Sequence, residues 1–267
     1  MALRRALDYL SGNLTRKTLL FVSLPLIWLS YFGTLVAVIC FSPQAYDWRH
    51  KAISRLLYPR NNPEFHLLAS SGIALAGLLM IPFAGYIRRR LRSASPIAAD
   101  AGAVAFGAGA VCLILAGLIV SHPYRGNSSF PRLHQMLARG SAIALGIGML
   151  LFWMCAVKGF FAKSVSETLY RPGLLASWSL LTLPAISIVI LRLIAHFHFG
   201  WPNSIYQALL NPRIWHLGFL EWTGSAAVFL FLVSSVLFLE RTGTHSWERP
   251  GDAGVGHRKA GRRVHNQ

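Results

Sequence analysis

Long apolar runs separated by short polar segments set the pattern of this chain. Six runs of 23 to 25 residues would each form a helix of roughly 35 Å, against a bilayer core of about 30 Å. The predicted spans are Thr18–Phe41, Phe65–Ile87, Ile97–Ser121, Leu133–Val157, Gly173–His196 and Trp215–Leu239. They leave no room for a separate soluble domain. The pattern therefore predicts an all-α membrane protein, a six-transmembrane-helix bundle over residues 18–240.

The composition agrees with a chain surrounded by lipid. Apolar residues make up 54% of the sequence, charged residues 13%, and the mean hydropathy is +0.47. A soluble domain carries about 25% charged residues because water must wet its surface. The net charge of +17 would favour a nucleic-acid partner in a soluble protein. Here the basic residues lie between apolar runs, where they can bind the anionic headgroups of membrane lipids. We therefore predict membrane lipids and no nucleic acid as partners.

The distribution of Lys and Arg predicts the orientation. Seventeen basic residues flank the spans on the side of the N terminus, seven lie in the alternate loops, and two lie within spans. Basic residues concentrate on the cytoplasmic side, which places both termini and the Arg88–Arg92 loop there. Residues 1–17 are then a cytoplasmic N-terminal segment. The Gly-, Arg- and His-rich tail 241–267 is predicted to be disordered, and the protein to be multi-pass in the cytoplasmic (inner) membrane of the cell.

Three charged residues lie deeper in the predicted spans than charges normally do. Arg139, Arg192 and Glu221 share a depth of roughly 6 to 9 Å below the outer interface. A charge at membrane depth costs several kcal/mol unless it is paired or hydrated. The shared depth therefore predicts that Glu221 pairs with Arg139 or Arg192 inside the bundle.

Polar side chains at the outer ends of the spans define a candidate pocket. Its members are Asp47, His50, Ser54, His122, His134, Arg139, Arg192, His216 and Glu221. Two interpretations compete. In one, the arginines reach the interface, the histidines are interfacial, and Glu221 locks helices together. In the other, the group lines an outward-opening pocket for a lipid headgroup, an ion or a small solute, the role more typical of an intramembrane acid.

No catalytic or cofactor motif completes this pocket. The histidines lack HxxxH or HExxH spacing, and no GxSxG, P-loop or GxGxxG sequence occurs. A haem pair such as His66 with His134 would need a second pair at the inner face for a transmembrane electron path, and the inner ends of the spans have no histidine. We therefore predict no cofactor.

The outer segments resemble a known family of bacterial membrane proteins. Four segments are similar to the family catalogued as domain of unknown function 998. They are the stretch from His50 through Ile53-Ser54 to Leu56, the second span with its Gly77-Leu78-Leu79 sequence, the Gly117–Pro123 connection leading to Leu133-His134-Gln135, and Gly218-Phe219-Leu220-Glu221. The resemblance implies six helices over about residues 18 to 240, no known activity, and a distant likeness to eukaryotic six-span proteins linked to lipid handling. His122 stands where the family usually has an aromatic residue, and Trp222 where it often has Arg.

The favoured hypothesis is a polytopic membrane protein with an outer-facing His/Arg/Glu pocket that binds a lipid headgroup or small solute. A first alternative is a membrane enzyme acting on lipid at the outer leaflet, with His134, His122 and Asp47 as acid/base or metal candidates. A second is a transporter, which the apolar inner halves of the spans disfavour. A third is a structural or assembly subunit.

Overall fold

Helices occupy the positions of the predicted spans in the computed structural model of the chain. The structure describes residues 9, 11–41, 46–47, 51–59, 61–120, 130–161, 172–196 and 217–239, without the side chains of 120, 130–132, 184–185, 187–196 and 217. The helices are α1 (Arg16–Phe41), α2 (Ser54–Leu57), α3 (His66–Leu91), α4 (Pro96–Val120), α5 (Phe130–Phe161), α6 (Pro172–His196) and α7 (Leu217–Phe238). The described residues contain no strand.

Five helices have the length and the apolar composition needed to cross a membrane. They are α1, α3, α4, α5 and α7. The remaining predicted span is also helical, as α6, but its described apolar part, Pro172–Leu183, is shorter than a span. The prediction of a helical chain with several helices able to span a membrane is thus confirmed for the described residues, while the sixth crossing stays a prediction. The predicted disordered tail lies outside the described residues.

The first helix is continuous but not uniformly α-helical. Two stretches, Leu19–Ser23 and Leu29–Gly33, have the wider π-helical turn, and Pro25 lies in the α-helical turn between them. A proline cannot donate a backbone hydrogen bond, so a helix that contains one must rearrange locally. Beyond the second wide stretch the hydroxyl of Thr34 donates to the carbonyl oxygen of Ser30 at 2.6 Å.

Small residues set the register of three antiparallel helices. A Cβ added at Gly77 of α3 would lie 2.9 Å from the Ala110 carbonyl oxygen of α4. Between α4 and α5, one added at Gly148 would lie 2.7 Å from the Cβ of Phe106. The Ser141 hydroxyl donates to the Gly109 carbonyl oxygen at 2.8 Å. In lipid there is no hydrophobic driving force between helices, and close packing of their backbones stabilises the contact instead. These small residues therefore determine how α3, α4 and α5 pack.

Helix α7 packs against α1. The guanidinium of Arg16 in α1 donates to the Leu237 carbonyl oxygen of α7 at 2.8 Å. On its other side α7 contacts α6, where the Trp178 indole N–H donates to the Ser234 hydroxyl at 3.0 Å and its ring stacks on Phe231 at 4.5 Å between centroids. Helix α7 is therefore anchored on two neighbours.

One end of the bundle is basic. At the turn between α3 and α4, the Arg88 guanidinium contacts the Asp100 carboxylate at 2.7 Å, and Arg92 lies 3.7 Å from the same oxygen. These side chains are more than a third exposed, so water screens both pairs and they add little to stability. The candidate pocket lies at the opposite end.

Candidate functional site

The segment after α1 folds back onto the ends of the helices. Residues 51–59, here called the cap, contain the single turn α2. Ile53, Leu56 and Leu57 are buried against side chains of α1 and α3. The Asn62 side-chain amide donates to the Leu56 carbonyl oxygen at 2.9 Å, and its own oxygen accepts from the N–H of Phe65 at 3.2 Å. The cap is therefore packed and hydrogen-bonded, and the end of the bundle that it covers is called the cap end below.

Glu221 of α7 binds the backbone of the cap. The N–H of Ile53 donates to its Oε2 at 2.6 Å, and the N–H of Ser54 also donates to the carboxylate. These donors belong to the start of α2, where helical N–H groups have no partner within the helix. A carboxylate there makes charge-assisted hydrogen bonds, which are stronger than neutral ones. Glu221 thus ties α7 to the segment that follows α1.

The predicted pairing of Glu221 with Arg139 is wrong. Arg139 is exposed on α5, and no ion pair joins it to Glu221 where the structure describes both side chains. The carboxylate is satisfied instead by the backbone N–H groups that the cap places against it. The side chain of Arg192 lies outside the described residues, so that pairing stays a prediction.

Two aromatic residues strengthen the contact between α7 and the cap. The Tyr46 hydroxyl donates to the Lys51 carbonyl oxygen at 2.8 Å and accepts from the indole N–H of Trp222 at 3.4 Å. Burial raises the pKa of Tyr46 to about 12. Gly218 lies so close that an added Cβ would be 2.5 Å from the Lys51 carbonyl oxygen. Only glycine fits this contact without displacing the cap.

A short hydrogen-bond chain continues from Glu221 to α1. The Ser225 hydroxyl donates to the Glu221 carbonyl oxygen at 2.7 Å. Its single proton is then used, so the Tyr31 hydroxyl, 2.6 Å away, must be the donor to Ser225. The chain fixes the rotation of α7 that brings the carboxylate to the cap.

His134 of α5 is buried at the same end of the bundle. Its side chain is 2% exposed, and its ring meets Tyr58 of the cap edge to face at 5.6 Å between centroids. Its Nδ1 lies 3.1 Å from the Ala116 carbonyl oxygen of α4. A carbonyl only accepts, so Nδ1 carries a proton, and in the neutral ring Nε2 is an acceptor. Within the described part of the chain Nε2 has no hydrogen-bond partner.

The structure brings some predicted pocket residues together through the cap. Ser54 and Glu221 meet directly, and His134 contacts the same segment at Tyr58. Asp47 is exposed, and its carbonyl oxygen accepts from the Lys51 N–H at 2.8 Å. Three predicted members, His50, His122 and His216, lie outside the described residues. No three His, Cys, Asp or Glu side chains come together as a metal site in the part of the chain that is described.

Four groups that form the contacts at the cap end were not predicted from the sequence. They are the backbone N–H of Ile53 and the side chains of Tyr46, Tyr58 and Trp222. Every residue has a backbone N–H, so the sequence carries no signal for the first. Trp222 does carry a signal, because it directly follows the intramembrane acid Glu221 and a buried indole N–H usually has a hydrogen-bond partner.

An apolar groove lies away from the cap. It has a volume of about 470 Å³ between α1 and α7, and Trp28, Leu29 and Phe229 are among its lining residues. In a bilayer such a surface is covered by acyl chains or by another helix. It offers no chemistry comparable to that of the cap end.

Comparisons of the chain with protein-family models, with curated proteins and with solved structures found no match. The resemblance to the family of domain of unknown function 998 therefore stays a prediction. The site must be interpreted from its own geometry.

Proposed function

We propose that this multi-pass membrane protein binds the polar headgroup of a lipid, or a small polar solute, at its cap end. In this proposal His134 accepts a hydrogen bond from the ligand. The observation that carries it is an imidazole that is 2% exposed, with Nδ1 satisfied by Ala116 and Nε2 without a partner among the described residues. A buried polar atom left unsatisfied costs about 1 to 3 kcal/mol, which a ligand donor would recover.

The tautomer of His134 determines which ligand groups can bind to it. Nε2 of the neutral ring only accepts, so the ligand must present an O–H or N–H donor. A fully deprotonated phosphate or a carboxylate cannot supply one. Hydroxyl and ammonium headgroups both can.

The depth of His134 favours a lipid over a free solute. It is the second residue of the apolar stretch Leu133–Phe161, within about 3 Å of the end of the span at 1.5 Å per residue. Headgroups meet the hydrocarbon core at that depth. Beside it Leu133 is 42% and Met136 69% exposed, which leaves apolar surface for acyl chains. Glu221 contributes indirectly, because it holds the segment that carries Tyr58.

The proposal includes six crossings with both termini in the cytoplasm, which puts the cap at the outer leaflet. Five apolar helices, a sixth helix in place and the excess of basic residues on one side support this arrangement.

Native mass spectrometry of the purified chain with added lipids tests the proposal. His134→Leu removes both ring nitrogens and should weaken lipid retention roughly fivefold, the effect of about 1 kcal/mol. His134→Gln retains one donor and one acceptor and should bind more like the wild type. His66→Gln is the matched control, since His66 lies at the same end but its ring bonds to its own segment, from Nδ1 to the Pro63 carbonyl oxygen at 3.1 Å.

Loss of lipid in His134→Leu, with retention in the other two variants, supports a headgroup site at this imidazole. Equal retention by all four proteins would show that His134 takes no part in binding and would overturn the proposal.

A further inference from the structure

A second buried polar atom without a partner among the described residues belongs to α3, which packs on α4 as α5 does. Ser70 of α3 is 1% exposed, and its hydroxyl makes no hydrogen bond to any described residue. Serines in helices usually return their proton to a carbonyl three or four residues earlier. Ser71 does so to Leu68 at 3.1 Å and Ser235 to Phe231 at 2.6 Å. The Ser70 hydroxyl therefore differs from its neighbour, although both lie in the same helix.

Ser70 and His134 lie against two consecutive residues of α4. His134 is bonded to the carbonyl oxygen of Ala116. The next residue, Gly117, packs so closely on α3 that an added Cβ would lie 2.7 Å from the Ser70 carbonyl oxygen. Two helices thus each place a buried, unsatisfied polar side chain at one level of the bundle, below the cap.

We propose that Ser70 and His134 together bind a hydroxyl group of a lipid headgroup, of the glycerol or sugar class. This inference rests on the proposed function and specifies its ligand. A hydroxyl donates its proton to Nε2 of His134 and accepts the proton of Ser70, so that both buried atoms are satisfied. An ammonium group has no lone pair to accept from Ser70, and a quaternary ammonium has no proton for His134.

Binding of matched lipids to the full-length chain in detergent tests this assignment. The probes are phosphatidylglycerol, phosphatidylmethanol and phosphatidylethanolamine with identical acyl chains. Phosphatidylmethanol has the same charge as phosphatidylglycerol but no headgroup hydroxyl, so it controls for the general attraction of a chain with a net charge of +17 to anionic lipid. The wild type should bind phosphatidylglycerol about tenfold more tightly than either of the others.

The variants assign that preference to the two side chains. Ser70→Ala should reduce it to about twofold or less while phosphatidylethanolamine binding stays the same. Ser71→Ala, next to it but exposed and already bonded, should leave the preference unchanged. Competition with free glycerol distinguishes the source of the hydroxyl. No displacement at a large excess means that acyl chains contribute, as expected for a lipid, whereas displacement identifies a free polyol as the ligand of the same hydroxyl site.

Two results separate the failure of this inference from that of the proposed function. A full preference retained in Ser70→Ala, or equal binding of phosphatidylglycerol and phosphatidylmethanol by the wild type, overturns the hydroxyl site. The headgroup proposal still stands if His134→Leu binds lipid more weakly. Unchanged lipid binding in both Ser70→Ala and His134→Leu overturns both.

Discussion

The carboxylate of Glu221 and the backbone N–H of Ile53 are joined by a 2.6 Å hydrogen bond, although the residues are 168 positions apart in sequence. The bond connects the last described helix to a single helical turn in the cap. An acid within a predicted membrane span usually indicates a cationic partner, yet here the partners are backbone donors. This difference can be measured.

Replacing Glu221 should separate the role of its oxygen atoms from that of its charge. Glu221→Leu leaves the N–H groups of Ile53 and Ser54 without an acceptor, at about 1 to 3 kcal/mol each, and should clearly lower the midpoint of thermal unfolding in detergent. Glu221→Gln keeps a carbonyl oxygen in place and should lose only about 1 kcal/mol. An equal loss in both variants would mean that the negative charge itself is bound, as in an ion pair with Arg192, and would contradict the assignment to amides.

Gly218 should tolerate no side chain. In Gly218→Ala the new Cβ would lie 2.5 Å from the Lys51 carbonyl oxygen, so the cap must move, at a cost of about 1 to 3 kcal/mol in thermal stability. Gly224→Ala in the same helix is the control. It has no other atom within 4 Å of the added Cβ and should be neutral or stabilising by up to about 1 kcal/mol. Similar midpoints for the two variants would show that the cap does not pack on Gly218.

Tyr46 should make stability depend on alkaline pH. Its pKa is about 12 in the folded protein and about 10 when exposed, so the folded state retains the proton longer. The resulting stabilisation is fully present below about pH 10 and is lost as the pH rises towards 12. Thermal midpoints measured from pH 8 to 11 should therefore fall more steeply above about pH 10 in the wild type than in Tyr46→Phe. Parallel curves would show that Tyr46 is not buried in the fold.

Cysteine labelling should establish the orientation. In a background lacking Cys40, Cys112 and Cys155, Ser93→Cys reports on the basic end and Glu64→Cys on the cap end, and both positions are exposed. An impermeant maleimide applied to intact cells should modify position 64 and not position 93 until the cells are broken. The reverse pattern would invert the orientation and place the cap in the cytoplasm.

Helix positions were readable from the sequence because hydrophobic length is a one-dimensional property. A run of some 24 apolar residues must form a helix in lipid whatever surrounds it, so predicted and observed bounds such as Phe65–Ile87 and His66–Leu91 differ by only a few residues. The same reasoning singled out Glu221 as a charge within a predicted span. Counting residues along a span gives only the depth of a side chain in the membrane.

The partner of Glu221 depended on information that the sequence does not contain. Arg139 shares its depth but is exposed on a helix that packs mainly along α4. Rotation about the helix axis, set here by Tyr31 and Ser225, decides what a side chain faces. The actual donors are backbone groups of a cap whose fold no periodicity indicates. His134 was predicted to be part of a pocket, but its tautomer and its open Nε2 required the position of Ala116.

The tie between Glu221 and the cap also determines when the protein can finish folding. The ribosome makes the first helix and the cap early and α7 late, so Ile53 and Ser54 wait for their acceptor until some 170 further residues have been inserted. The bonds from Arg16 to Leu237 and from Tyr31 to Ser225 join residues even further apart in sequence, by 221 and 194 positions. Assembly of the cap end is therefore a late, post-insertion event, and a nascent chain that stops before α7 would expose the unfinished cap to quality-control proteases.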